Sequence, residues 1–214
     1  MIREFEDGWP VFPSQRRNEA LKLAVIDTSA ALSIALAIQD HWYGSQALAW
    51  VGRFAPRERA VDIILSAIDF ARKAPDPFNF VAISAWSLRA LIELDHSELV
   101  RSLLPSILER SQLIAHSASK SEALFFVFQA LRPGPFDLWD TAFQALVGAT
   151  TPTRGWRQRR NLLHAVMMIA EDFPELAADV PSQVADEKLK RKLANAIESR
   201  DFAPPRVFFW KDIE

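Results

Sequence analysis

The sequence predicts an all-α protein built from stacked antiparallel helix pairs, and three observations predict it. Glycine is scarce, 6 residues in 214, against a usual share of about 7%, so the chain is poor in the residue that hairpin turns consume. Proline and glycine cluster at a few points, Ala74-Pro-Asp-Pro77, Arg132-Pro-Gly-Pro135 and Thr150-Thr-Pro-Thr153, where they end helices rather than interrupt them. Between these points small residues recur evenly: Ala47, Ala85 and Ala123 are 38 residues apart, and Ala90, Ala130 and Ala170 are 40 apart. An Ala at a helix crossing lets a neighbour's ridge approach to about 8–10 Å. With half of its residues apolar, the chain is expected to fold as one helical domain, residues 1–214.

The elements follow in order. Residues 1–13 hold Gly8, Pro10 and Pro13 between Trp9 and Phe12 and read as an extended lead-in. Ser14 precedes a helical run from Gln15 to about Gln39, whose apolar positions are Leu21, Val25, Leu32, Ala35 and Leu36. His41-Trp42-Tyr43-Gly44 breaks that run, and Ser45-Gln46-Ala47-Leu48 opens the next helix, which ends near Phe54. Pro56 starts a helix from Arg57 to Lys73, and another spans Phe78 to Leu94. Ser97 is placed to cap a helix from Glu98 to about Leu113, kinked at Pro105. Helices follow from Ser119 to Leu131, from Phe136 to Ala149 and from about Trp156 to Asp172. Pro174 starts a region from Glu175 to Ser199 that breaks near Pro181. Pro204 and Pro205 make residues 201–214 an extended, aromatic tail.

Charge and composition exclude several classes. Lys plus Arg is 25 and Asp plus Glu is 27, giving a net charge of −2 with no basic arm or acidic block. Bulk electrostatics therefore do not point to nucleic acid or to an anionic membrane. The most apolar stretch, Ala20 to Ile38, carries Lys22 and Asp27, each costing about 2.5–3.5 kcal/mol at a bilayer centre, so no membrane span is expected. Cysteine is absent, which excludes a disulfide framework, a thiolate metal site and a Cys nucleophile. It also fits a reducing compartment, with the cytoplasm as the default. None of the six glycines forms a phosphate-cradling loop, and the acidic start lacks the apolar run of a signal peptide. The histidines, His41, His96, His116 and His164, include no i,i+4 pair and no HExxH, so no metal and no cofactor are expected.

The paired helices, a period near 40 and proline-marked turns resemble the HEAT-like α-α superhelix group over residues 41–199. A period near 40 is that of HEAT and armadillo repeats rather than tetratricopeptide repeats. The resemblance implies a right-handed superhelix of about four antiparallel pairs, whose concave face binds protein or nucleic acid. That face is lined by the second helix of each pair: residues 57–73, 97–113, 136–149 and 175–199.

The sharpest local feature is Arg154-Gly-Trp156-Arg157-Gln-Arg159-Arg160, four arginines around a tryptophan at a helix start. Guanidinium groups pair bidentately with carboxylate or phosphate, and Trp offers a stacking face. Cations at a helix N-terminus oppose its dipole by up to about 1 kcal/mol each, which suggests a use for them. Three uses are open: ion pairs with a neighbouring repeat, an acidic protein partner, or nucleic acid. Beside this run, Trp139-Asp140-Thr141 and Trp156-x-x-Arg159-Arg160 are similar to motifs of the HEAT-like DNA-alkylation-repair glycosylases, in which a Trp-Asp-x-x-Asp helix supplies the catalytic carboxylate. Here Phe143 stands at the last position, the spacing between the motifs is short, and the family's basic balance is missing. By this similarity Trp139 and Asp140 join Arg154, Trp156, Arg157, Arg159 and Arg160 as candidate binding residues; the alternative is an i,i+4 aromatic pair, Trp139 and Phe143, facing the core.

Trp9-Pro-Val-Phe12 and Phe208-Phe-Trp210 are too apolar for idle tails. They cap the ends of a solenoid or bind another chain, in a homodimer or a partner complex. No catalytic signature stands out, so the expected function is a non-enzymatic protein–protein interaction module. A nucleic-acid-binding or base-repair-like protein and a toxin-neutralising, immunity-type partner are the alternatives.

Overall fold

The computed structural model describes residues 12–150 and 155–199. The fold is all-α: the described residues form eleven helices and no strand. They gather into two compact units, Met1–Val100 and Arg101–Glu214, with the boundary inside a helix, α6 (Ser97–Gln112).

The first unit opens with α1 (Pro13–Ala24) and α2 (Thr28–Ala37) where the periodicity predicts a single helix. The apolar run is continuous, but Asp27 stops it. Its carboxylate accepts from the Ala30 N–H at 3.0 Å, capping α2, while the Thr28 hydroxyl donates back to the Ala24 carbonyl at 3.1 Å. A side-chain cap supplies the backbone partner that a continued helix would have provided. Val25 and Ile26 consequently fall in the turn, 64% and 84% exposed, and Leu36 is 61% exposed, so Val25 and Leu36 lie outside the core.

The segment His41–Gly44 is a second correction. It forms the first turn of α3 (His41–Phe54), capped by Asp40, which accepts from the Tyr43 N–H at 3.0 Å. Gly44 is a contact residue there, not a breaker. A Cβ on it would collide with the Phe70 ring near the end of α4 (Arg57–Arg72), and a Cβ on Gly52 would lie 2.5 Å from Ile64 Cγ1. Helices α3 and α4 therefore pack antiparallel and very close. In α5 (Pro77–Glu93) the direction returns to that of α3. Trp42 stacks on Phe78 at the starts of the two helices, at 6.1 Å, and Arg53 pairs with Glu93 at their ends, at 2.5 Å. The Trp50 indole N–H donates to the Leu21 carbonyl at 3.0 Å and ties α3 to α1.

Helix α5 ends in a Schellman motif, with His96 N–H to Leu91 O at 2.9 Å, Asp95 N–H to Ile92 O at 3.1 Å, and Asp95 in the left-handed region at φ 62°. Ser97, expected to cap the next helix, is its first helical residue, and the His96 carbonyl accepts the first bonds of α6.

The second unit repeats this arrangement. Helix α7 (Ser117–Leu131) turns into α8 (Phe136–Thr150), and Phe128 near the end of α7 meets Trp139 in the first turn of α8 and Phe143 at its middle, at 6.2 and 5.5 Å. Helix α9 (Trp156–Ala170) runs parallel to α7. The Gln158 amide reaches the Ser117 hydroxyl at 2.8 Å at one end, and Arg132 pairs with Asp172 at the other. Helix α10 (Pro174–Gln183) takes Pro181 into its last turn before the chain breaks, as expected, and α11 (Glu187–Ser199) follows.

Burial makes the period explicit. Ala60, Ile64, Ala67 and Ala71 of α4 are buried; 40 residues on, so are Val100, Leu104, Ile107 and Ser111 of α6. A further 39 on, so are Trp139, Phe143, Leu146 and Thr150 of α8. Helices α3, α5 and α7 are buried almost all round, whereas α4 and α8 keep one wet face. This pattern is compatible with a helical repeat. No helix among the described residues is long and apolar enough to cross a membrane.

Candidate interaction surface

The first turn of α9 places its side chains by helical geometry. At about 100° per residue, Gln158 points opposite Trp156. It is buried against the start of α7, and Asn161, also fully buried, donates to Glu122 at 3.0 Å and to the Ser121 hydroxyl at 3.3 Å. The exposed half carries Trp156, Arg157, Arg159 and Arg160.

Two of these arginines are structural. The Arg160 guanidinium donates to Glu122 of α7 at 2.9 Å and to Asn161 Oδ1 at 3.1 Å. Arg159 pairs with Asp186, whose side chain is only 10% exposed. Ion pairing with neighbouring elements thus accounts for both, 38 and 27 residues away in sequence. Asp186 also caps α11, accepting from the N–H groups of Lys188 and Leu189 at 3.0 and 3.2 Å. Burial pushes its carboxyl up, but the Leu189 N–H, the Arg159 guanidinium and the Lys188 N–H outweigh that and hold it below the ordinary carboxylate range.

Trp156 and Arg157 remain. Trp156 is 65% exposed, with the Arg157 and Arg160 guanidinium carbons 5.5 and 5.4 Å from its ring centroid. Arg157 is exposed and has no carboxylate partner among the described residues. Arg154 lies outside the described residues, as do Trp9, Phe208, Phe209 and Trp210; Phe12, at the edge, is 61% exposed.

Trp139 and Asp140 are not part of this surface. Trp139 is 1% exposed and packs against Phe136 at 4.8 Å and Phe173 at 5.0 Å, with Arg132 stacked at 4.8 Å. Phe173 follows the far end of α9, so Trp139 and the arginine run sit at opposite ends of that helix, about 20 Å apart. Asp140 is half-buried and accepts from the Gln144 amide at 3.0 Å on its own helix.

The other contributor, α11, lies in the 175–199 stretch expected on the binding face, but its charge is not singled out by sequence alone. Helix α11 carries Lys188, Lys190, Arg191 and Lys192, and it buries Leu189 and Leu193. Its basic run is visible in the sequence, but its place beside α9 comes from packing of the two helices, with the Arg159–Asp186 pair at their junction.

Elsewhere, a groove of about 310 Å³ in the first unit is lined by Leu36, Ile38, Leu48, Ser66, Asp69, Phe70 and Lys73 among others. Its polar groups are engaged locally. Ser66 donates to the Asp62 carbonyl at 2.8 Å, Asp69 pairs with Arg72 at 2.7 Å, and Lys73 stands 5.6 Å from the centre of the Phe70 ring. Among the described residues no three His, Asp or Glu side chains are grouped to hold a metal ion. Compared with protein-family models, curated proteins and solved structures, the chain matches none.

Proposed function

We propose that this chain is a non-enzymatic, cytoplasmic interaction module built from HEAT-like helical repeats wound into a right-handed superhelix, and that it binds a protein partner. The repeat part is supported by the 40- and 39-residue register of buried positions and by the parallel relation of α3 to α5 and of α7 to α9. The observation that carries the function is Trp156. A tryptophan 65% exposed between two guanidinium groups, beside arginines already ion-paired within the fold, is an anchor without an internal task.

The test is quantitative capture from a native extract with wild type, Trp156→Ala and Arg157→Ala. A protein recovered by wild type and depleted about tenfold or more by both variants, at unchanged melting temperature, is the expected result. Equal recovery by all three sinks the proposal. Duplex DNA binding that weakens steeply with salt and depends on Arg157 would favour nucleic acid instead.

A further inference from the structure

We infer that the partner of this surface is a carboxylate-rich protein segment and that α11 supplies as much of the binding site as α9. This rests on the interaction reading above and adds the chemistry of the partner. Asp186 divides its oxygens between the two helices, Oδ1 capping α11 and Oδ2 accepting from Arg159, so the first turn of α11 is fixed beside the first turn of α9. The basic residues of α11 follow within six residues, about 9 Å of helix rise. That is close to the Debye length of about 8 Å at physiological ionic strength, so two runs distant in sequence act as one field.

Seven basic side chains belong to these two helix starts, Arg157, Arg159, Arg160, Lys188, Lys190, Arg191 and Lys192, against the carboxylates of Glu122, Asp186 and Glu187. Arg159 and Arg160 are held by Asp186 and Glu122, and Lys190 lies 3.6 Å from Glu187. Arg157, Lys188, Arg191 and Lys192 are exposed without a carboxylate partner among the described residues. The patch is net +4 in a chain of net −2, which leaves −6 on the rest. Such a charge distribution repels a long polyanion and admits a short acidic segment. Four unpaired cations also release few counterions from a nucleic acid. Trp156 adds the aromatic anchor that protein interfaces favour, and Arg157 the planar fork that matches a carboxylate.

The probe is a labelled peptide of Glu and Asp with one central Phe, titrated by anisotropy at low and physiological salt. A neutral peptide of the same length, single-stranded RNA and duplex DNA are the comparators. The variant Lys188→Glu/Arg191→Glu/Lys192→Glu changes only exposed side chains, and its neutral counterpart with Gln covers any loss of fold; melting curves monitor both. Salt-sensitive binding of the acidic peptide, weakened about tenfold or more by the Glu variant and less by the Gln variant, is expected. Binding no tighter than the neutral peptide, indifference to both variants, or tighter binding of either nucleic acid overturns the inference. A native partner whose capture needs Trp156 but ignores reversal of α11 would keep the interaction reading and remove the acidic segment.

Discussion

Arg159 and Asp186, 27 residues apart in sequence, form an ion pair that also terminates a helix: one carboxylate oxygen receives the guanidinium while the other caps α11. The charged form of Asp186 is therefore the form the fold uses. Its folded pKa lies below the unfolded value, which is about 3.9. Its contribution to stability is thus fully present above that value and is lost as pH falls through the folded one. Asp186→Asn should lower the melting temperature by a few degrees at neutral pH. The gap to wild type should close as pH drops below about 4. A gap that stays constant through acid would show that the carboxylate charge does not matter. Asp137, lowered chiefly by its hydrogen bond from Arg101, is an open surface pair, and Asp137→Asn should move the melting temperature less.

Glycine predictions run in both directions. Gly44→Ala and Gly52→Ala insert a methyl into Phe70 and Ile64, and overpacking of about 1–3 kcal/mol exceeds the gain of up to about 1 kcal/mol in helix propensity. Both should destabilise. Gly148, on the open face of α8, has no atom within 4 Å of a built Cβ, so Gly148→Ala should stabilise by about 0.5–1 kcal/mol. Asp95 occupies the left-handed position of a Schellman motif that prefers glycine, and Asp95→Gly should gain about 1 kcal/mol. Urea denaturation of the four variants decides, and a common sign across them would refute the packing argument.

The two tryptophans of the second unit should separate cleanly. Trp139, closed in by Phe128, Phe136, Phe173 and Arg132, should cost about 3–5 kcal/mol when truncated to Ala. Trp156→Ala should fall within about 0.5 kcal/mol of wild type, because its ring faces solvent. A comparable loss at both sites would make Trp156 a packing residue and withdraw it from the interaction surface.

What the sequence made legible follows from how far each signal reaches. The helices after Pro56, Pro77, Pro135 and Pro174 were readable because proline and its neighbours act within a turn. The core position of Trp139 was readable as half of an i,i+4 pair. The turn at Asp27 was not, because an apolar run hides a cap that only the Ala30 N–H reveals. Gly44 was misread as a breaker since its reason, the Phe70 ring, lies on another helix. The interaction surface was half legible for the same cause. The arginine run stands out locally, but its partners Glu122 and Asp186, and the basic face of α11, arrive only through packing.

A recurring arginine device yields the last prediction. Arg53 and Arg132, 79 residues apart, lie at the end of α3 and just past α7, each with proline three residues on. Arg53 stacks over Trp50 and Phe54 at 4.9 and 5.2 Å and pairs with Glu93, which also accepts from Arg89 at 2.5 Å. Arg132 stacks over Trp139 and Phe173 at 4.8 and 5.4 Å and pairs with Asp172. The two side chains are 19% and 18% exposed, so the flat guanidinium works as a packing surface as well as a charge. Lysine keeps the charge but not the plane. Arg53→Lys and Arg132→Lys should each cost about 1–2 kcal/mol in urea denaturation, in line with a partly desolvated cation–π contact. Arg72→Lys, in an exposed pair with Asp69, should cost no more than about 0.5 kcal/mol. If lysine is tolerated equally at all three positions, charge alone holds these helix ends and the stacking is incidental.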